Sequence, residues 1–269
     1  MSEGRTASRR DMLVLSLFPG IGLLDMAFEE EGFCVVRGPD LLWGGDIRRF
    51  HPPAEKFDGV IGGPPCQLFS PLKRLVPNAG ERHGNQIPEF KRVVHETQPT
   101  WWVMENARPS PVPHVPGYMT NSQLLNNRWL GEAQERTRRF TFGTRDGRSL
   151  MIQYAALESL DYRQAVTSSL RAVPVALGPN GKVKRTYSAD GKRHGPDRGR
   201  RASIAEMCVY QGLSPEHFGL DCPFTETAKR QVIGNGVPLP MGRAIARAVK
   251  RALEQGRSAR SPSGATEGR

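Results

Sequence analysis

Cys66 stands in the run Gly62-Gly63-Pro64-Pro65-Cys66-Gln67-Leu68-Phe69-Ser70, directly after an apolar stretch from Phe57 to Ile61. Two prolines hold the chain rigid there, and a thiol follows. A turn-rich, polar position is a poor place to store a core cysteine, whereas a thiolate is intrinsically very nucleophilic. Cys34, Cys208 and Cys222 read instead as inert packing thiols. A second group, Trp101-Trp102-Val103-Met104-Glu105-Asn106, ends an apolar run on a carboxylic acid and an amide. Apolar neighbours raise a carboxyl pKa, so Glu105 could hold a proton at neutral pH; an ordinary strand-end acid is the alternative. Gln134-Glu135-Arg136-Thr137-Arg138 then leads into a strand, Arg138 to Phe142. Alternation places Arg136 and Arg138 on one face. Two forked donors there suit a carbonyl, phosphate or carboxylate, or else form a charged outer surface.

Two further features suit a ligand. Phe18-Pro19-Gly20-Ile21-Gly22 separates a strand from a helix, and glycines there let a ligand approach the backbone closely. The run is not the full dinucleotide fingerprint, because Asp25 stands where a third glycine would be, and alone it is equally a tight connection. Asp40 and Asp46 follow the next apolar run. An acid beyond a strand end in an open sheet can accept hydrogen bonds from a ribose or an exocyclic amine, although loop acids are common in turns.

The elements that must position these groups alternate. Met12 to Phe18, Phe33 to Val36, Phe57 to Ile61 and Trp101 to Met104 read as strands. Leu23, Leu24, Met26, Ala27 and Phe28 recur at helical spacing up to Gly32, and a second helix carries Ile87, Phe90, Val93 and Val94 on one face. Such alternation predicts an α/β fold with a mostly parallel sheet covered on both faces. Ser203-Ile204-Ala205-Glu206 has the form of a capping box opening a helix that stops at Gly212. A last helix, from about Leu239 to Glu254, puts Met241, Ile245, Val249 and Ala252 on one face.

The 269 residues are 38% hydrophobic, enough to bury one large core. No apolar run approaches membrane-span length, and the polar, basic start predicts no secretion signal, so a cytoplasmic protein is expected. Four scattered cysteines predict neither a disulfide framework nor a zinc site. A formal net charge of +11 favours a polyanionic partner through phosphate neutralisation, or else marks a basic tail.

Taken in order, these segments resemble the cytosine-5 DNA methyltransferase family over roughly residues 12 to 255. Phe18-Pro19-Gly20-Ile21-Gly22 is similar to its FxGxG cofactor loop, Pro64-Pro65-Cys66-Gln67 to its PCQ loop and Glu105-Asn106 to its ENV motif. Gln134, Arg136 and Arg138 match QxRxR, while Arg201, Glu206 and Gln211-Gly212 resemble its RxxxxE…QG segment. Gly234-Asn235-Gly236-Val237-Pro238 matches GNxVP. Each signal is weak alone, and their order makes them jointly specific.

The resemblance implies a Rossmann-like S-adenosylmethionine-dependent fold acting on cytosine carbon 5 in double-stranded DNA. It assigns Cys66 to attack carbon 6 of a flipped base, Glu105 to protonate ring nitrogen N3, and Arg138, supported by Arg136, to hold the exocyclic carbonyl. Phe18, Gly20, Ile21 and Gly22, with Asp40, Asp46, Ile47, Pro65, Asn235 and Val237, would line the cofactor site, and no metal is implied. Gln67 and Ser70 would meet DNA. The last helix would close the cofactor site beside the first strand.

Departures from the family pattern are Ala107 in place of Val and a short connection between Asp40 and Asp46. The span before Arg201 is small and basic, which predicts a reduced recognition region over 148–200 with phosphate contacts from Lys182, Lys184, Arg185, Lys192, Arg193 and Arg198; a solvated loop is the alternative. The catalytic domain would cover 12–147 and 201–255, with disordered ends at 1–11 and 256–269. A monomer is expected, and the compact size would fit a phage or mobile-element enzyme, with or without a restriction partner. Rival readings are an RNA cytosine methyltransferase, a catalytically silent DNA-binding relative and a nicotinamide oxidoreductase. Activity on duplex DNA against tRNA separates the first. The four intact groups Cys66, Glu105, Arg136 and Arg138 argue against the second, and the incomplete glycine fingerprint against the third.

Overall fold

Runs of β-branched and aromatic residues bounded by glycine form the strands of one central sheet, seen here in a computed structural model that describes residues 12–65, 84–157, 159–167, 185–187, 193–196 and 201–258. The strands are β1 (Leu13–Leu17), β2 (Cys34–Arg37), β3 (Gly59–Gly62), β4 (Trp101–Ala107), β5 (Met119–Asn126), the short β6 (Gln134–Glu135) and β7 (Thr137–Thr144). Six of them make a sheet of order β2-β1-β3-β4-β7-β5, with β6 outside it. The first four are parallel and β7 runs antiparallel between β4 and β5. The mostly parallel sheet expected from the alternation is therefore present.

The helices are α1 (Leu23–Glu30), α2 (Ile87–Thr97), α3 (Ile204–Tyr210), α4 (Glu226–Asn235) and α5 (Leu239–Ser258). Alternate strand residues feed opposite faces. Val14, Ile61, Trp101 and Val103 pack with Leu24 and Phe28 of α1 and Met241, Ile245 and Val249 of α5. Leu15, Leu17, Val60, Trp102 and Met104 pack with Phe90, Val93 and Val94 of α2. Each of these side chains contributes about 1.5–3 kcal/mol when fully buried. A third cluster joins Leu23 and Ala27 of α1 to Met207 and Cys208 of α3, Ile233 of α4 and Leu239.

Two cross-strand pairs set the width of the sheet interior. Gly59 lies opposite Trp101, and Gly143 opposite Trp102. A Cβ at Gly59 would come 2.1 Å from the Trp101 ring, and one at Gly143 2.2 Å from the Trp102 ring. Each indole lies flat over a missing side chain.

Several boundaries differ from those read in the sequence. β4 continues to Ala107, so Glu105 and Asn106 are paired in the sheet rather than beyond it. β5 and α4 have weak period in sequence and were not anticipated. α5 runs to Ser258, past the helix end expected at Glu254 and into the tail expected to be disordered from 256, and Arg148 donates to the Ala252 carbonyl in its last turns at 3.0 Å. The basic segment around 178–201, read as aperiodic, contains a two-stranded antiparallel ribbon of β9 (Arg185–Tyr187) and β10 (Arg193–Pro196), after the short β8 (Arg163–Gln164) that pairs with β6. Arg185 and Arg193 fall in that ribbon. Cys66, Gln67, Ser70, Lys182, Lys184, Lys192 and Arg198, like the ends at 1–11 and 259–269, lie outside the described residues.

Candidate active site

A cavity of about 890 Å³ opens at the carboxyl ends of β1, β3 and β4. This is the edge where open α/β sheets take their ligands, and the volume suits a nucleoside-sized one. Its wall includes Phe18, Gly20, Ile21, Asp40, Asp46, Ile47, Pro65, Glu105, Arg136, Arg138, Asn235 and Val237. Gly22 stands behind this wall as the N-cap of α1.

Backbone conformation explains the glycine loop. Phe18, Gly20 and Gly22 all have positive φ, at 57°, 57° and 81°. Left-handed backbone at a non-glycine residue such as Phe18 costs about 1 kcal/mol or more and clusters at functional sites. Nothing lies within 4 Å of where a Cβ would sit on Gly20, so the loop presents bare backbone to open space. At Gly22 a Cβ would meet the Arg37 guanidinium at 2.7 Å.

Asp40 and Asp46 each cap a short 3-10 turn, Leu41–Trp43 and Ile47–Arg49 respectively. Asp40 accepts from the Gly20 amide and the Leu42 amide, both at 2.8 Å. Asp46 takes the Arg48 guanidinium in a fork at 2.7 to 3.1 Å. That fork, with the Arg48 amide, pulls its carboxyl down to about 2. Both acids therefore shape the turns as well as facing the cavity. Only five residues separate them, so two capped turns replace a longer connection.

Pro64 and Pro65 follow β3 and precede Cys66 in the sequence. Asn106 anchors this segment: its amide donates to the Pro64 carbonyl at 3.2 Å, while its oxygen accepts from the Ala107 amide and the Ser110 hydroxyl. Beside it, Glu105 is buried, and its carboxylate lies 2.9 Å from Arg138 Nε. Burial pushes the Glu105 carboxyl above its ordinary value, against the pull of Arg138 and Arg136. A Cβ at Gly63 would come 3.0 Å from Glu105 Oε2, so that glycine keeps the space beside the acid clear.

Both arginines line the cavity, with different hydrogen-bond partners. Arg136 lies in the break between β6 and β7, and its guanidinium donates to the carbonyls of Val166, Gly234 and Gly236 at 2.8, 3.0 and 2.9 Å. It clamps backbone, while Arg138 Nε pairs with the Glu105 carboxylate. Gln134 and Gln211 extend the clamp: Gln134 donates to the Tyr210 carbonyl at 2.6 Å, and Gln211 to the Ile233 carbonyl at 2.6 Å. Gly234 and Asn235 end α4, and Val237 and Pro238 link it to α5. This buried seam sets the Asn235–Val237 wall against the sheet. Ser203 and Glu206 form the capping box read in the sequence, at 3.1 and 2.7 Å.

Asp25 was noted only as a missing glycine, yet it is fully buried below the cofactor-type loop. The Ser16 hydroxyl donates to its Oδ1 at 2.5 Å, and Arg37 Nε lies 3.1 Å from Oδ2. Burial pushes its carboxyl up to about 6, with Ser16 and Arg37 pulling the other way and Glu29 adding to the rise. Its place at a helical core position, Leu24-Asp25-Met26-Ala27-Phe28, was the available signal. Among the described residues no cluster of His, Cys, Asp or Glu has metal-holding geometry, and no helix is long and apolar enough to cross a membrane.

A profile for the C-5 cytosine-specific DNA methylase family matches residues 44–109, the stretch holding Asp46, Cys66 and Glu105. Full-length similarity extends to the Type II methyltransferase M.HgiDI of Herpetosiphon aurantiacus, 26% identical over 91% of this chain and 96% of that protein. It extends also to the Type II methyltransferase M.NgoPII of Neisseria gonorrhoeae, at 23% over 95% and 100%. Among solved structures, the Entamoeba histolytica methyltransferase EhMeth superposes with a TM-score of 0.58 at 12% identity, over 92% of this chain and 99% of that one. The S. pombe Dnmt2 methyltransferase superposes at 0.57 and 13%, over 91% and 98%. With the sheet order and the strand-end cavity, the chain is similar to the C-5 cytosine-specific DNA methylase family through residues 44–109 and to Type II methyltransferases over nearly its whole length.

Proposed function

We propose that this chain transfers a methyl group from S-adenosylmethionine to carbon 5 of a flipped cytosine in double-stranded DNA, through a covalent adduct on Cys66. The observation that carries the reading is the single cavity that puts a bare-backbone glycine loop, two capping carboxylates and the Glu105–Arg138 pair around one space. The cavity fits the cofactor: carboxylates stand on one side, an apolar wall of Phe18, Ile21, Leu41 and Val237 lines it, and Gly20 leaves room for close approach. When bound, S-adenosylmethionine supplies an electrophilic methyl on sulfur.

The chain's own groups do the rest. The Cys66 thiolate adds to carbon 6, forming an S–C bond and shifting the ring electrons so that carbon 5 becomes nucleophilic. Glu105, whose protonated form burial favours, gives its proton to N3 as charge builds there. Arg138 holds both Glu105 and the exocyclic carbonyl. Arg136 acts one step back, by fixing the Asn235–Val237 wall. After carbon 5 takes the methyl and loses its proton to a base, the electrons return and expel Cys66 as thiolate. Carbon 6 is inaccessible in a stacked duplex, so the cytosine must be extruded first.

The short span between Arg138 and Arg201 supports a compact recognition region that relies on phosphate contacts from Lys182, Lys184, Arg185, Lys192, Arg193 and Arg198, with Gln67 and Ser70 near the extruded base. Affinity for duplex DNA then falls steeply with salt. A log–log salt slope near zero removes the phosphate contacts from this account.

Methyl transfer from labelled S-adenosylmethionine to duplex DNA, wild type beside Cys66→Ala, tests the main reading. Label at carbon 5 of cytosine in one repeated context, absent in the variant, is expected. Label on RNA alone transfers the same chemistry to a different polymer. No label on either from folded chain rejects the reading.

A further inference from the structure

Gly20 is gripped at both of its backbone polar groups by one short turn. Asp40 Oδ2 accepts from its N–H, and the Trp43 indole Nε1–H donates to its carbonyl, both at 2.8 Å. Packing does not orient this residue, since nothing would touch a Cβ there. The two hydrogen bonds do. The turn that supplies them is itself fixed: Asp40 caps Leu41–Trp43 through the Leu42 amide, Gly44 closes it with φ 80°, and the Gly45 amide returns to the Asp40 carbonyl at 2.9 Å.

Trp43 also reaches the segment that leads into α4. It is 60% exposed, so core burial does not account for its position. Its ring meets Phe224 with centroids 5.5 Å apart, and Phe224 meets Phe218 at 6.4 Å. The Lys229 ammonium on α4 lies 5.7 Å over the Phe218 ring. The same helix lines the cavity through Ala228, Gln231 and Val232. Trp43 therefore links the glycine loop after β1, through Phe224 and Phe218, to Lys229 on the helix that lines the cavity.

We propose that Trp43 is a positioning residue for cofactor binding: its N–H sets the Gly20 carbonyl and its ring, on Phe224, holds the loop against α4. The inference rests on the S-adenosylmethionine reading of the cavity. It separates two functions within one side chain, a hydrogen bond and an aromatic contact, which substitutions can remove in turn.

Calorimetric titration of the intact chain with S-adenosylhomocysteine tests it, using wild type, Trp43→Phe and Trp43→Leu. Trp43→Phe keeps the ring and loses the N–H, and is expected to weaken Kd about 3- to 10-fold, the worth of one net hydrogen bond. Trp43→Leu loses both contacts and weakens it further. In turnover the loss falls on the cofactor KM rather than kcat, and the melting temperature of Trp43→Phe stays at the wild-type value. Wild-type Kd in both variants overturns the inference while leaving the cofactor assignment standing. No binding by folded wild type overturns the cofactor assignment, and the inference with it.

Discussion

Replacing Asp25 with Asn should flatten one component of the pH dependence of stability, by an amount the structure fixes. Asp25 is fully buried, and its carboxyl stands at about 6 against an ordinary 3.8. A carboxyl raised by burial favours the folded state while it is protonated. The advantage is complete below the unfolded value near 4 and disappears as pH rises through 6, because the ionised group must then sit in the interior. A displacement of about two pH units corresponds to ~3 kcal/mol, one unit being about 1.4. The Asn side chain is nearly isosteric, can still accept from Ser16, and does not titrate. Unfolding in urea at pH 4 and pH 7 isolates the effect, since all other groups cancel in the difference between variant and wild type. That difference should move by about 2–2.5 kcal/mol in favour of Asp25→Asn between the two pH values, most of the full displacement. A difference that does not change with pH refutes the reasoning, and would mean that Arg37 and Ser16 already compensate the buried charge.

Three other substitutions probe the site and its frame. Glu105→Gln retains a polar group beside Arg138 but delivers no proton, so kcat should fall about 10²- to 10⁴-fold with cofactor binding intact; the wild-type loss of rate as pH rises through the Glu105 ionisation should be missing from the variant's pH profile. Arg136→Lys cannot reach the carbonyls of Val166, Gly234 and Gly236 together, so chemical denaturation should show a loss of about 2–4 kcal/mol and steady-state kinetics a raised cofactor KM. Gly143→Ala drives a methyl into the Trp102 indole and should cost about 1–3 kcal/mol, read as a lowered melting temperature, with little change in kcat for the surviving folded enzyme.

The sequence revealed the layers because their patterns are local. Leu13–Leu17 and Trp101–Ala107 are apolar runs, and α1 and α5 carry long apolar stripes, so strand and helix follow from period alone. The glycine loop, the Pro64-Pro65 segment and Glu105 were visible because their residue types are unusual where they occur. Other features were hidden for physical reasons. β5 reads Met119-Thr-Asn-Ser-Gln-Leu-Leu-Asn126, polar over most of its length, and is a strand because β7 supplies its hydrogen bonds. Arg136 and Arg138 look equivalent two residues apart, and only the break between β6 and β7 sends one to backbone carbonyls and the other to Glu105. The role of Trp43 depends on Gly20 and Phe224, each far off in the chain, and no window of sequence contains all three.

The seam from Gln134 and Arg136 to Gln211, Gly234 and Gly236 bears on when the protein becomes able to work. Its hydrogen bonds span 76 to 100 residues, and those between α1 and α5 span more than 200. Contacts of such separation form late, after the loops between them have closed. The sheet strands and α2 can assemble on the ribosome, but Asn235 and Val237 emerge afterwards and complete the cavity wall. A nascent chain halted before α4 would therefore display the Pro64-Pro65 segment with no finished pocket beside it. Competence would arrive near the end of synthesis, and the slow step of refolding would be the docking of α4 and α5 rather than formation of the sheet.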